Sequence, residues 1–149
     1  MRIVRAKAWD MPRILAIERA CFGRDAWDER LFRAYLDAWP ELFLLAKRGV
    51  RTAGYSIAVI RGERADLESI AVDPRSKRRG IGSALVRKTL TLLRRRGVAS
   101  AGLMVEVDNA AAIALYQQFG FRRTRTIRNY YGARRHGWRM SMALERRSW

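Results

Sequence analysis

Two glycines, Gly80 and Gly82, stand directly behind the run Lys77, Arg78, Arg79 and at the start of an apolar, helix-forming stretch that includes Ile81, Leu85 and Val86. The first N–H groups of a helix have no partner inside it, and the helix dipole adds partial positive charge at that end. Glycine lets an anion come close to such a backbone, and the three cations add side-chain donors. The chemistry this suits is the grip of phosphates. The spacing differs from the dinucleotide fingerprint, and no Gly-Lys-Ser/Thr phosphate loop is present. Taken alone, the stretch also fits a glycine turn that lets a helix pack tightly on a sheet. A second constellation lies further on, in "VEVDNAAAIALYQQFGF". Asn109 and Tyr116 are seven residues apart there, two turns along one helical face. The residues between them are mostly alanine, which lets something lie close against that face.

The elements that must position these residues can be read from periodicity. A helix is expected over about 10–20, with Ile14, Leu15 and Ile17 on one side. A second begins at an Asp28 N-cap and repeats apolar groups at Leu31, Phe32, Tyr35 and Leu36. "LFLLA", "AGYSIAVI" and "ADLESIAV" are short runs punctuated by Gly49 and Gly62, and they predict antiparallel strands joined by hairpins. The helix after Gly80 has Ile81, Leu85 and Leu92 inward, Arg87 and Arg94 outward, and Gly97 as its cap. "AGLMVEV" predicts a strand, and Asn109 to Gly120 a short capped helix. Two last strands, near 121–127 and 138–144, flank a loop "NYYGARRHGW". The order is β-α-α-β-β-β-α-β-α-β-β, an α/β protein with a mixed sheet and helices packed on it.

Size and composition set bounds. A chain of 149 residues, 49% hydrophobic, suits one domain over 1–149 with a real core. No repeat, low-complexity tract or linker interrupts it. No apolar run approaches the roughly 18 residues of a membrane helix, and the N-terminus lacks a signal-type apolar core. The lone Cys21 has no internal disulfide partner, and no Cys/His cluster exists to hold a metal. A soluble cytoplasmic protein is expected. Lys and Arg number 31 against 14 Asp and Glu, a net charge of +17. Such a field draws polyanions, although an Arg-rich solubilising surface gives the same count.

In its specific parts, "SIAVDP", "KRRGIGSALV", "DNAAAIALYQQFGF" and "RNYY", the sequence resembles the GNAT N-acetyltransferases. Within them the likeness is to the bacterial ribosomal-protein-alanine N-acetyltransferases, over most of the chain from about Ile17 to Leu144. The resemblance implies the GNAT acyl-CoA N-acyltransferase fold and acetyl-CoA as cosubstrate. It implies that backbone at Ile70, Ala71 and Val72 pairs with the pantetheine arm. Lys77, Arg78, Arg79, Gly80, Ile81, Gly82 and Ser83 would hold the pyrophosphate. The family usually begins this loop with Gln or Arg, and the cation at Lys77 leaves the backbone cradle intact. Asn109 matches the residue beside the thioester, and Tyr116 the residue that protonates the departing thiolate. A phenol of pKa near 10 suits that task.

The base departs from the pattern. The ribosomal-protein enzymes carry a Glu five residues before the Asn, and here that position is Met104. Glu106 lies two residues on, on the same strand face and about 6.6 Å away; Glu68 on the preceding strand is a second candidate. Either is also readable as an ordinary strand carboxylate among many arginines. A peptide α-amine titrates near 8, so about a fifth is neutral at pH 7.4, whereas only about one lysine side chain in a thousand is. An α-amine acceptor therefore tolerates a displaced base better. Tyr130 and Tyr131 would hold the first residues of a peptide or cover the rim of the cleft. Trp27 and Phe32 would form the opposite wall, His136 is expected to be solvated, and Cys21 falls far from the motifs.

The expected function is acetyl transfer from acetyl-CoA to a protein N-terminal amine, by direct attack, with a basic surface near ribosomal RNA as a possible docking aid. A small-molecule amine is the alternative acceptor. A catalytically silent GNAT-fold nucleic-acid-binding module is the rival from another class.

Overall fold

The computed structural model describes residues 1–144. Its elements are β1 (Arg2–Arg5), α1 (Met11–Phe22), α2 (Glu29–Ala38), β2 (Phe43–Arg48), β3 (Arg51–Arg61), β4 (Arg64–Val72), α3 (Ile81–Arg95), β5 (Ser100–Glu106), α4 (Ala110–Phe119), β6 (Arg122–Gly132) and β7 (Arg135–Ala143). This is the predicted order. Hydrogen-bonded neighbours run β1-β2-β3-β4-β5-β7-β6. β4 and β5 pair parallel, while β1–β2, β2–β3, β5–β7 and β6–β7 pair antiparallel. Among the described residues no helix is long and apolar enough to cross a membrane.

Local signals fix the ends of these elements. The Asp28 side chain accepts from the Leu31 N–H at 3.0 Å and caps α2. The Asn109 side chain accepts from the Ala112 N–H at 3.2 Å and caps α4. Gly120 ends α4 in the left-handed region (φ 105°), a conformation that glycine adopts without penalty. The predicted loop over 129–138 is mostly strand instead. β6 continues to Gly132, β7 starts at Arg135, and only Ala133 and Arg134 turn between them. The aromatic residues Tyr130, Tyr131 and Trp138 favour extended backbone, and the β6–β7 register shifts between Ile127 and Gly132.

Contacts divide the described residues into two compact units, Met1–Val59 with Ser69–Thr89, and Ile60–Glu68 with the described residues from Leu90 onward. In the first, Ile14 and Ile17 of α1, Phe32 of α2, Phe43 and Leu45 of β2, and Tyr55 and Ile57 of β3 form a buried core. Phe32 meets the Tyr55 ring edge-on at 5.5 Å between centroids and is fully buried. It is therefore a core residue and not a wall of a cleft. Gly54 on β3 is required by close approach: a Cβ there would stand 2.8 Å from the Ala71 carbonyl oxygen and 3.1 Å from Ile81.

In the second unit Ala101, Leu103 and Val105 point inward by strand alternation, with Phe121, Met140 and Leu144 also buried. β4 contributes Arg64–Leu67, registered with Ser100–Leu103 of β5. Gly102 leaves room for the Arg139 guanidinium, which pairs with Asp66 at 2.6 Å.

Candidate active site

The cradle belongs to the first unit. Asp73, at the end of β4, accepts from the Arg75 backbone N–H at 3.0 Å and fixes a single helical turn over Pro74–Ser76. Its other oxygen meets Arg75 at 3.1 Å, Arg51 at 3.4 Å and Arg13 at 3.8 Å. Arg75 above all holds the Asp73 carboxyl down at about 2. From this anchor the chain runs through Lys77, Arg78, Arg79 and Gly80, all exposed, into α3. Arg78 (φ 63°) and Gly80 (φ 74°) both take the left-handed region. A non-glycine residue there costs about 1 kcal/mol, so surrounding structure enforces this backbone. The Gly80 carbonyl accepts from the Ala84 N–H, but glycine has no side chain to cap α3. The N–H groups of Ile81, Gly82 and Ser83 thus have no partner within the helix. A Cβ on Gly80 would meet nothing within 4 Å, so this backbone is open to an approaching group.

On β4 the three predicted backbone partners divide. The Asp73 N–H donates to Ala53 O on β3 at 2.8 Å. Strand alternation then turns the Ala71 peptide groups to β3 as well, and those of Ile70 and Val72 to the other edge. The expectation for Ala71 is corrected on this ground. Cys21 is corrected too: its Sγ donates to the Val72 carbonyl at 3.2 Å, so the thiol lies beside the motifs and not far from them. Burial pushes that thiol up, with the Lys77 charge pulling the other way.

The second unit gathers the remaining residues. Tyr116, on the inner face of α4, is 6% exposed and packs edge-on to Phe121 at 5.9 Å. Burial raises its pKa well above the usual phenol value, and the Tyr131 phenol adds to the rise. Tyr131 is pushed up to about 12 by burial, then by Tyr130 and Glu106, with Arg135 opposing. Tyr130 and Tyr131 meet edge-on at 4.9 Å. Gly137 fits between them and Met104: a Cβ there would stand 2.9 Å from the Met104 methyl and 3.2 Å from each tyrosine. Glu106 and Met104 share a half-buried face of β5. Arg135 pairs with Glu106 at 2.8 Å, and Arg61 with Glu68 at 2.7 Å. Asn109 is exposed and spends its side-chain oxygen on the helix cap. His136 is not a freely solvated side chain. Its Nδ1 accepts from the Asn129 N–H at 2.9 Å and pins the left-handed backbone there (φ 57°).

Sequence reasoning passed over two residues that the fold makes central. One is Asp73, for which the Asp-Pro turn signal was present in "SIAVDP". The other is Glu18, 1% exposed on α1, which accepts from the Trp27 N–H at 2.9 Å and hydrogen-bonds the Tyr55 hydroxyl. Tyr55 in turn lies 3.0 Å from Ser69 Oγ on β4. Trp27, stacked on Tyr35 at 5.4 Å, is thereby tied to this group.

The chain as a whole is similar to known proteins. The profile of the acetyltransferase (GNAT) family matches residues 11–121. The chain is 37% identical over 122 residues to the [ribosomal protein bS18]-alanine N-acetyltransferase of Escherichia coli (strain K12), covering 82% of this chain and 81% of that protein. It is 39% identical over 106 residues to the mycothiol acetyltransferase of Clavibacter michiganensis subsp. michiganensis, covering 70% of this chain and 34% of that one. The crystal structure of the E. coli ribosomal-protein-S18-alanine N-acetyltransferase superposes with a TM-score of 0.87 at 30% identity, covering 99% of this chain and 96% of that one. The profile spans well over half of the sequence, and the chain belongs to the GNAT family of acetyltransferases.

Proposed function

We propose that this acetyltransferase moves the acetyl group of acetyl-CoA to the α-amine of a protein N-terminus, a ribosomal protein in the first instance. One observation carries the reading. The turn at Arg78 and Gly80 leaves the N–H groups at the start of α3 uncapped beside exposed cations, in a chain like the E. coli bS18-alanine enzyme over most of its length. In this reading the N–H groups of Ile81, Gly82 and Ser83, with Lys77, Arg78 and Arg79, bind the pyrophosphate. Ile70 and Val72 offer backbone to the pantetheine arm, and Asn109 lies beside the thioester. The cosubstrate supplies an activated acetyl thioester. Tyr116, kept protonated by its burial, holds the proton that goes to the leaving sulfur. Glu106, oriented by Arg135, takes the proton of the attacking amine, with Glu68 the other candidate. Tyr130 and Tyr131 hold the first residues of the acceptor. A cytoplasmic location goes with an acceptor of this kind, and its presentation beside RNA fits the net charge of +17.

A small-amine acceptor is the second reading, favoured by the likeness to the mycothiol acetyltransferase. Peptides with varied first residues, incubated with enzyme and acetyl-CoA and read by mass spectrometry, test the choice. N-terminal acetylation, strongest on peptides beginning with alanine, is expected. Acetylated small amines with untouched peptides would transfer the case to the second reading, and no measurable acetyl-CoA affinity would end both.

A further inference from the structure

The charge on the second unit is unevenly placed. From Asn109 to Leu144 the chain has seven arginines and no Asp or Glu, where about three carboxylates would stand at the chain's average of 14 in 149. Four of the seven, Arg122, Arg123, Arg125 and Arg128, lie on β6, and all are exposed. The arginines of β7 have carboxylate partners, Arg135 in Glu106 and Arg139 in Asp66, which Arg61 and Arg64 share. Among the described residues no carboxylate pairs with the four on β6.

Their arrangement is ordered. Arg122 stands opposite Ser141 and Arg125 opposite Arg139, so the irregularity at Thr124 brings two arginines three residues apart onto one face. Arg123, opposite Met140, takes the other face, its guanidinium 5.1 Å from the Trp138 ring. β6 ends the sheet, which leaves its outer edge unpaired. Six steps of about 3.3 Å from Arg122 to Arg128 span about 20 Å, the length of several phosphates and not one.

We infer that β6 is an RNA-docking strip. Arginine grips phosphate bidentately and stacks on bases, and RNA-binding surfaces pair such cations with aromatic platforms. Trp138, with the Arg123 guanidinium against its ring, supplies one here. The strip would hold the enzyme beside an acceptor that is carried on RNA, and in this it rests on the ribosomal reading above.

The test uses the whole chain and the variant Arg122→Gln/Arg123→Gln/Arg125→Gln, matched by thermal melting. Anisotropy of a labelled mixed-sequence RNA oligonucleotide is read across a salt series, with poly-glutamate and phosphatidylserine vesicles as competitors. Each lost phosphate contact lowers the slope of log K against log salt by about 0.7, so the variant should lose about 2. Acetylation of free peptide by the variant should equal that of the parent. Equal RNA affinity and slope in the two proteins would overturn the proposal. So would vesicles or poly-glutamate binding more tightly than RNA, or a variant that aggregates yet keeps its affinity, which would make the arginines guards of an open strand edge. RNA binding that depends on the strip, without any peptide acetylation, upholds the strip and overturns the acceptor reading.

Discussion

Cys21 Sγ lies 3.2 Å from the carbonyl oxygen of Val72 and donates to it, tying the end of α1 to the last residue of β4 across 51 positions of sequence. That carbonyl is on the strand edge proposed for the pantetheine arm. The thiol therefore engages one acceptor position of the Val72 oxygen and leaves the second, with the Val72 N–H, for a ligand. Cys21→Ala should keep acetyl transfer if, as proposed, the amine attacks the thioester directly, and should lose about 1 kcal/mol of stability with the hydrogen bond. Because burial raises the thiol's pKa, iodoacetamide should modify native Cys21 far more slowly than the unfolded chain at pH 8. Native labelling as fast as denatured labelling would contradict this.

Tyr116→Phe removes one oxygen and keeps the ring against Phe121. The variant should melt within a degree or two of the parent while kcat falls by about a hundredfold or more, the usual worth of a positioned acid. With its pKa raised above the ordinary phenol value, Tyr116 stays protonated through pH 10, so the parent should show no loss of rate from this group below that pH. A kcat unchanged in the phenylalanine variant would remove Tyr116 from the chemistry.

Gly80 combines a left-handed backbone with open space where a side chain would go. Gly80→Ala should cost about 1 kcal/mol in stability, because alanine resists that φ. Gly80→Val, β-branched, should cost more and raise KM for acetyl-CoA as the methyl groups stand in the cradle. KM is the informative readout, because a turn with only a structural role would shift the melting temperature and leave KM alone.

Local chemistry was what the sequence displayed. Asp28, Asn109, Gly97 and Gly120 mark helix ends through bonds or φ values set within a few residues, and the element order followed from them. The cradle was legible for the same reason, since Lys77 to Ser83 is one continuous stretch. What stayed hidden depends on partners far along the chain. Glu18 meets Tyr55 37 residues away, and Cys21 meets Val72 from another element entirely. His136 looked like a solvated loop residue because nothing local announces that Asn129 will turn its N–H toward it. Ala71 carried the family motif, but strand direction decides which edge its peptide faces, and that is set by pairing with β3.

Asp73 should give the protein a marked acid sensitivity. Its folded pKa, about 2, lies below the ordinary value of 3.8, so the carboxylate contributes stability above pH 4 that is lost as pH falls from about 4 to 2. Its arginine partners are largely exposed, which limits the contribution to about 1–2 kcal/mol. Asp73→Asn should lower the melting temperature at pH 7 and converge on the parent near pH 2. A constant gap across that range would exclude titration of Asp73 as the cause.

Glu18 should behave in the opposite sense. Burial raises its pKa above the ordinary value of 4.5, outweighing the hydrogen bonds from Trp27 and Tyr55 that favour the charge. A carboxyl raised in the fold contributes stability that is complete below about 4.5 and is lost as pH rises through the folded value. Glu18→Gln keeps the size and the acceptor for the Trp27 N–H but does not ionise. Its melting temperature relative to the parent should therefore climb as pH goes from 4 to 8. If the variant instead weakens steadily over that interval, the charged form is the one the fold prefers, and the hydrogen bond with Tyr55 outweighs the loss of solvent around the carboxylate.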